Sequence, residues 1–238
     1  MCKKNVIKRL LIGPIAILIL LICGFYVYTL NYYKAQNTAK ETVAQSNHYA
    51  VKDGSMIIFY PKFRDKDKTA IIFYPGAKVE YIAYAPILKK LADRGITTVL
   101  LKMPFNLAIF DTNAADKVYK KLPNIKNWYI SGHSLGGAMA SKYSAENESR
   151  LKGIILLGAY RIKKTTLRTL IVYGSNDKIL NKTKLDKTSK ILEINGGNHA
   201  DFGNYGDQKG DGKATITRES QQNQTVEAIL NFIDEQKK

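Results

Sequence analysis

Ser134, Asp177 and His199 are the residues of this chain whose types and spacing could do nucleophilic chemistry. Ser134 sits in Gly132-His133-Ser134-Leu135-Gly136-Gly137, directly after the strand-like run Trp128-Tyr129-Ile130 and at the start of a small-residue helix predicted over 135–145. This is the G-x-S-x-G pattern in a setting of strand, sharp turn and helix, which holds a serine in strained backbone geometry with its hydroxyl thrust out above a sheet. Glycines two residues either side let neighbouring chain pass close by. A serine hydroxyl is a poor nucleophile near neutral pH and needs a histidine base held in one tautomer by a carboxylate. Only three histidines are present. His133 cannot fold back on its own neighbour and His48 precedes the first predicted core strand, which leaves His199, in Gly196-Gly197-Asn198-His199. The acid is expected between serine and base in chain order, on a loop at the end of a strand. Asp177, in Tyr173-Gly174-Ser175-Asn176-Asp177, fits that place; Asp186 lies in a lysine-rich segment, Glu193 within a predicted strand and Asp201 beyond the histidine.

An attacked carbonyl also needs donors aimed at its developing negative oxygen. One is the backbone N–H of Leu135, at a helix start where such groups lack intrahelical partners. The second is expected from the turn Tyr74-Pro75-Gly76-Ala77-Lys78, with Ala77 the first choice and Gly76 next. A sheet must position all of these groups. Short apolar runs recur at 56–60, 70–74, 97–101, 128–130, 154–157, 170–173 and 191–194, with a charged turn at 62–68. The run at 70–74 is apolar on both faces, as a buried parallel strand is. Between the runs, helices are predicted from about Pro86 to Gly95, over 111–121 and over 225–236, the first with Ile87, Leu88 and Leu91 inward and the last with Val226, Ile229, Leu230 and Ile233 inward. Such alternation means an α/β protein, a mostly parallel doubly wound sheet with helices on both faces.

At 238 residues, 45% hydrophobic and 24% charged, the chain can bury one sizeable core. Its net charge of +17 favours anionic surroundings such as phospholipid headgroups or wall polymers. The basic residues are scattered, without the dense cluster of a nucleic-acid footprint, so no nucleic-acid partner is expected. The two cysteines, Cys2 and Cys23, both precede the predicted globular part and give it no disulfide framework. Residues 10–30 carry no charge and as a helix would extend roughly 31 Å, enough for a bilayer core. Lys3, Lys4, Lys8 and Arg9 crowd the near end of this run, and Tyr26, Tyr28, Tyr32 and Tyr33 the far end. The bias predicts a cytoplasmic segment 1–9, a signal-anchor 10–30 in contact with membrane lipid, a polar stalk 31–50 and an extracytoplasmic domain 51–238. The alternative is a longer-than-usual cleaved signal, whose first small-x-small site is Thr42-Val43-Ala44.

With serine, acid and base in this order, residues 56–236 resemble the α/β-hydrolase superfamily, specifically the compact hydrolases related to dienelactone hydrolases and small esterases. The motifs are Tyr-Pro-Gly-Ala at 74–77, Gly-His-Ser-Leu-Gly-Gly at 132–137, Tyr-Gly-Ser-Asn-Asp at 173–177 and Gly-Gly-Asn-His at 196–199. The usual His-Gly of the first oxyanion turn is Pro75-Gly76 here, and Ser134 stands where a dienelactone hydrolase has cysteine. The resemblance implies a serine hydrolase, most simply a carboxylesterase of a small-molecule or surface-presented ester, working through an acyl-enzyme without cofactor. Two other readings fit the same residues: an acyltransferase, or a silent binding module for anionic surface polymers. Only about a dozen residues separate Leu157 from Leu170, where many lipases insert a lid, so the site is expected to be lidless. Asp207 and Asp211, in the polar stretch 201–212, lack the regular oxygen-ligand loop of a calcium site, and no metal is expected.

Overall fold

The computed structural model describes residues 2–46, 49–62 and 68–235, so His48 and most of the charged turn at 62–68 lie outside the described residues. Two compact units divide between Tyr32 and Tyr33. The first contains a single helix, α1 (Cys2–Leu30), whose stretch Gly13–Leu30 has a mean hydropathy of 2.2 and is long and apolar enough to cross a membrane.

The second unit begins with α2 (Asn37–Gln45), followed by strands β1 (Ala50–Asp53), β2 (Met56–Phe59) and β3 (Thr69–Tyr74). Helix α3 (Ala85–Asp93), β4 (Thr97–Leu101), a short α4 (Asp116–Tyr119), β5 (Asn127–His133) and α5 (Leu135–Glu146) come next. Strands β6 (Gly153–Leu157), β7 (Thr169–Gly174) and β8 (Lys190–Ile194) precede the closing helix α6 (Arg218–Asp234). All eight strands join one sheet in the order β1-β2-β4-β3-β5-β6-β7-β8. The pairs β1–β2 and β2–β4 are antiparallel and every later pair is parallel. Alternate residues of each strand feed two cores. Ile71, Phe73, Leu157 and Val172 pack beneath α2, α3 and α6 on one face, and Ile72, Ile130, Leu156 and Ile171 pack beneath α4 and α5 on the other. The sheet is therefore doubly wound, and the parallel strands all end at one edge.

Strand β1 is not among the predicted apolar runs, and three further elements differ from the sequence expectation. Residues 33–46 are not a stalk. Tyr33 bridges Val79 in parallel fashion, the Ala35 N–H donates to Glu80 Oε2 at 2.8 Å, and Ala35, Ala39 and Val43 are buried in the core. Ala39 and Val43, four apart on α2, form one short stripe, with Ala35 just before the helix, and together they are too small in apolar area to register as a core face by composition. The helix expected over 111–121 shrinks to α4, because the buried Tyr74 hydroxyl donates to the Thr112 carbonyl (2.6 Å) and accepts from the Ala115 N–H (3.0 Å), taking backbone groups that a helix would use itself. Helix α6 starts seven residues earlier than its apolar stripe indicates, with Thr217 Oγ1 accepting from the Ser220 N–H at 3.1 Å as N-cap. Its first inward residues are the buried glutamines Gln221 and Gln222, which bond to the loop around Asn198 and so carry no hydrophobic signal.

Candidate active site

Strand β5 runs in the middle of the sheet, between β3 and β6, and stops at His133. Ser134 follows at φ 53°, ψ −123°, a left-handed conformation that costs a residue with a side chain of order 1–3 kcal/mol. The turn is held by the Ser134 N–H donating to the Leu157 carbonyl (3.0 Å) and by the Ser134 carbonyl accepting from the Ala138 N–H (3.0 Å). Its glycines are required by space. A Cβ on Gly132 would come within 2.5 Å of the Gly136 backbone, and one on Gly136 within 2.2 Å of the Tyr74 carbonyl. The helix start is thereby pressed against the ends of β3 and β5, leaving Ser134 and Leu135 only half-buried while Gly132 and His133 are covered.

The loops after β7 and β8 supply the other two groups. His199 Nδ1 lies 2.8 Å from Asp177 Oδ2, with both side chains essentially inaccessible. The second carboxylate oxygen, Oδ1, accepts from the N–H groups of Ile179 (2.9 Å) and Leu180 (2.8 Å), so the acid is fixed at both ends in the geometry a carboxylate prefers. With Asp177 facing Nδ1, the proton of a neutral His199 ring belongs there and Nε2 is left as the acceptor. His199 Nε2 is buried and has no hydrogen-bond partner among the described residues. Gly158, at the end of β6, sits at φ 52°, and a Cβ there would lie 2.9 Å from His199 Nδ1 and 3.3 Å from Asp177 Oδ2. The bare backbone makes room for the pair.

Ser134, Leu135 and His199 line one cleft of about 270 Å³, completed by Ala138, Ala159 and Tyr160 on one side and Ile179, Leu180 and Asn181 on the other. The five residues singled out by sequence thus fall at one edge of the sheet, and two of the three triad candidates open into one cleft. Ala77 does not line it. In its turn the Gly76 N–H donates to the Tyr84 hydroxyl (3.2 Å) and the Lys78 N–H to the Asn106 carbonyl (2.8 Å), while among the described residues the Ala77 N–H has no hydrogen-bond partner. Sequence reasoning missed Tyr84 and the cleft walls at Tyr160, Ile179 and Asn181, which stand outside any motif. The rejected acids have structural partners: Asp201 pairs with Arg218 Nε at 2.8 Å, and Asp186 pairs with Arg161. Asp211 staples three loops, accepting from the N–H groups of Ala200 (2.9 Å), Gly212 (2.7 Å) and Lys178 (3.3 Å).

Residues 70–223 match the alpha/beta hydrolase family, a stretch that spans the sheet from β3 onward and all three candidate residues. The chain belongs to the alpha/beta hydrolase family. No curated protein matches it. Among solved structures, this hydrolase is similar to Est1E from Butyrivibrio proteoclasticus with ferulic acid bound (16% identity, 75% of this chain and 95% of that one, TM-score 0.56). It is likewise similar to XC6422 from Xanthomonas campestris, an α/β serine hydrolase without lid (14% identity, 74% and 88% coverage, TM-score 0.54). A third is the Paleococcus ferrophilus monoacylglycerol lipase (12% identity, 76% and 99% coverage, TM-score 0.56). At these identities the likeness is one of fold. The β6–β7 connection of this hydrolase, residues 158–168, contains no helix or strand, and the cleft stands open above it.

Proposed function

We propose that this hydrolase is a serine esterase in which Ser134 is the nucleophile, His199 the base and Asp177 the acid. The observation that supports it best is the Asp177–His199 pair, buried and 2.8 Å apart, with its outer ring nitrogen unpartnered at the cleft that Ser134 lines. A free acceptor nitrogen of this kind takes the serine proton as the hydroxyl attacks the ester carbonyl; the imidazolium then protonates the leaving alcohol. The tetrahedral oxyanion is held by the N–H of Leu135 and, once substrate is seated, by that of Ala77. Water activated by the same histidine releases the acid from the acyl-enzyme. No step calls for a cofactor. A cleft of about 270 Å³, walled by Leu135, Ala138, Ala159 and Leu180, is just below the usual range for ligand pockets and suits a short acyl chain.

The helix α1 anchors the enzyme in a membrane on this reading, with the basic segment 1–9 on the cytoplasmic side and the hydrolase unit outside. Its charge distribution, four cations before Leu10 and none within 10–30, supports that orientation. The test of activity is labelling by a fluorophosphonate together with turnover of p-nitrophenyl esters of graded chain length. Labelling lost in Ser134→Ala, with acetate or butyrate preferred over palmitate, is the expected result. A folded wild-type protein that neither labels nor turns over any ester would leave the silent binding module as the reading.

A further inference from the structure

Tyr84 and His133 do not line the cleft and take no part in the chemistry just described, although both are buried and His133 is the neighbour of Ser134. Their polar atoms form one chain. The Gly76 N–H is 3.2 Å from the Tyr84 hydroxyl, that hydroxyl is 2.8 Å from His133 Nδ1, and His133 Nε2 is 3.0 Å from the carbonyl of His199. The two ends fix its direction. A carbonyl can only accept, so Nε2 of His133 carries a proton; an amide N–H can only donate, so the tyrosine oxygen accepts it and its own hydrogen goes to Nδ1. Every donor and acceptor is then used once, with His133 neutral. A protonated His133 would put a second N–H against the tyrosine oxygen and leave the hydroxyl hydrogen without an acceptor. Burial and the nearby His199 ring, 4.5 Å away between centroids, also hold the His133 pKa well below its ordinary value.

This chain of bonds connects the three loops that the proposed chemistry needs: the oxyanion turn through Gly76, the serine turn through His133 and the base loop through His199. We infer that Tyr84 and His133 are positioning residues, a buried relay that sets the His199 loop and the oxyanion turn against Ser134. The space around the relay is cut to it. A Cβ on Gly76 would lie 2.7 Å from the Tyr84 hydroxyl and 2.8 Å from His133 Nδ1, so this glycine is required by the relay and not by a special backbone angle. Aromatic rings close it in, with ring centroids 5.7 Å apart for Phe202 and His133 and 4.9 Å apart for Phe73 and Tyr84. An imidazole in this place serves because it can donate at one end and accept at the other while uncharged, beside a base that becomes cationic during turnover.

The inference rests on the serine-esterase reading, and its test separates the two. In the full-length protein in detergent, kcat and KM are measured for Tyr84→Phe, His133→Phe, His133→Gln and the double Phe variant, with Ser134→Ala as reference and thermal stability followed throughout. Each Phe variant should lose about 10²-fold in kcat with KM little changed, the size of loss that follows a small misplacement of reacting groups. The double variant should lose no more than the worse single one, and His133→Gln, which retains a donor for the His199 carbonyl, should recover part of the loss. Additive losses, or wild-type kcat in folded Phe variants while Ser134→Ala is dead, would overturn the relay and leave the esterase reading standing. Turnover retained by Ser134→Ala would overturn both. Should the variants fail to fold, nitrogen NMR of the wild type decides: His133 must be neutral with its proton on Nε2 at every pH at which the enzyme turns over ester, and an Nδ1–H tautomer or an imidazolium there rejects the relay.

Discussion

At the scale of single residues, the proposed site separates groups that would perform chemistry from groups that hold them. Ser134 is half-buried and its turn is secured by backbone bonds, so Ser134→Ala should lower ester turnover by roughly 10³-fold or more while thermal stability changes little. His199→Ala removes the proposed base and should cost as much. Asp177→Asn should also be severe, since an amide facing Nδ1 no longer selects the tautomer that leaves Nε2 free. Parallel kinetics and melting curves check all three, and near-wild-type turnover in any of them refutes its proposed role. His133 gives a prediction of a different kind. The unfolded chain protonates it near pH ~6.5, whereas the folded one keeps it neutral far below that, so below that pH the unfolded state binds the extra proton. Its contribution to folding is unaffected above that pH and falls as the medium is acidified, by up to about 1.4 kcal/mol per pH unit. Chemical denaturation between pH 7 and 5 should therefore show a shallower loss of stability in His133→Gln than in the wild type; equal slopes would mean that His133 is protonated in the fold.

Among the elements, what the sequence made legible depended on whether a segment's role is carried by apolar pattern or by polar bonding. Strands β2 to β7 were readable because their apolar runs are buried and bounded by glycine, proline or charge, and β4 falls on 97–101 as expected, while the more exposed β8 was readable from Ile191, Leu192 and Ile194. The serine turn and the Asp177 and His199 loops were readable because their glycines and fixed order have a steric cause. Elements held by polar groups were not. The first turns of α6 face inward through Gln221 and Gln222, the segment before α4 is pinned by one tyrosine hydroxyl, and the Tyr84–His133 relay joins residues 49 positions apart that no local motif connects. Helix α2 was missed for a third reason, its stripe being made of small residues. It has a consequence for truncation. A chain starting at Asn31 retains the Tyr33–Val79 bridge and the buried Ala35, Ala39 and Val43, and should fold and hydrolyse esters in solution. One starting at Lys40 loses the bridge, the Ala35–Glu80 bond and the buried Ala35 and Ala39, and should be less stable by about 3 kcal/mol. Urea denaturation of the two chains measures the difference, and equal midpoints would return residues 31–39 to the role of a stalk.

For the whole molecule the deciding quantity is the distribution of charge. A net +17 attracts the protein to anionic surfaces whether or not α1 spans a bilayer, so binding to membranes alone does not distinguish an anchor from a basic peripheral protein. Ionic strength does. Exposed charges more than a Debye length apart, about 3 Å at 1 M salt, are screened, whereas insertion of the uncharged stretch Gly13–Leu30 does not depend on salt. The proposed orientation rests on the flanks. Lys3, Lys4, Lys8 and Arg9 precede the candidate span, while Lys34 is the only charge among residues 31–39, and short flanks of this kind are where the bias of cationic residues toward the cytoplasm operates. The full-length protein should therefore remain in the membrane fraction after a 1 M salt wash and leave it only with detergent. In cells stripped of their wall, added protease should digest the hydrolase unit while a cytoplasmic marker survives. Release by salt would show a peripheral protein, protection from external protease would invert the orientation, and a mature N-terminus near Gln45 in the medium would show a cleaved signal. That last cut would also remove α2 and expose the core face it covers, so a protein processed there should be unstable, a second reason to expect the anchor to stay attached.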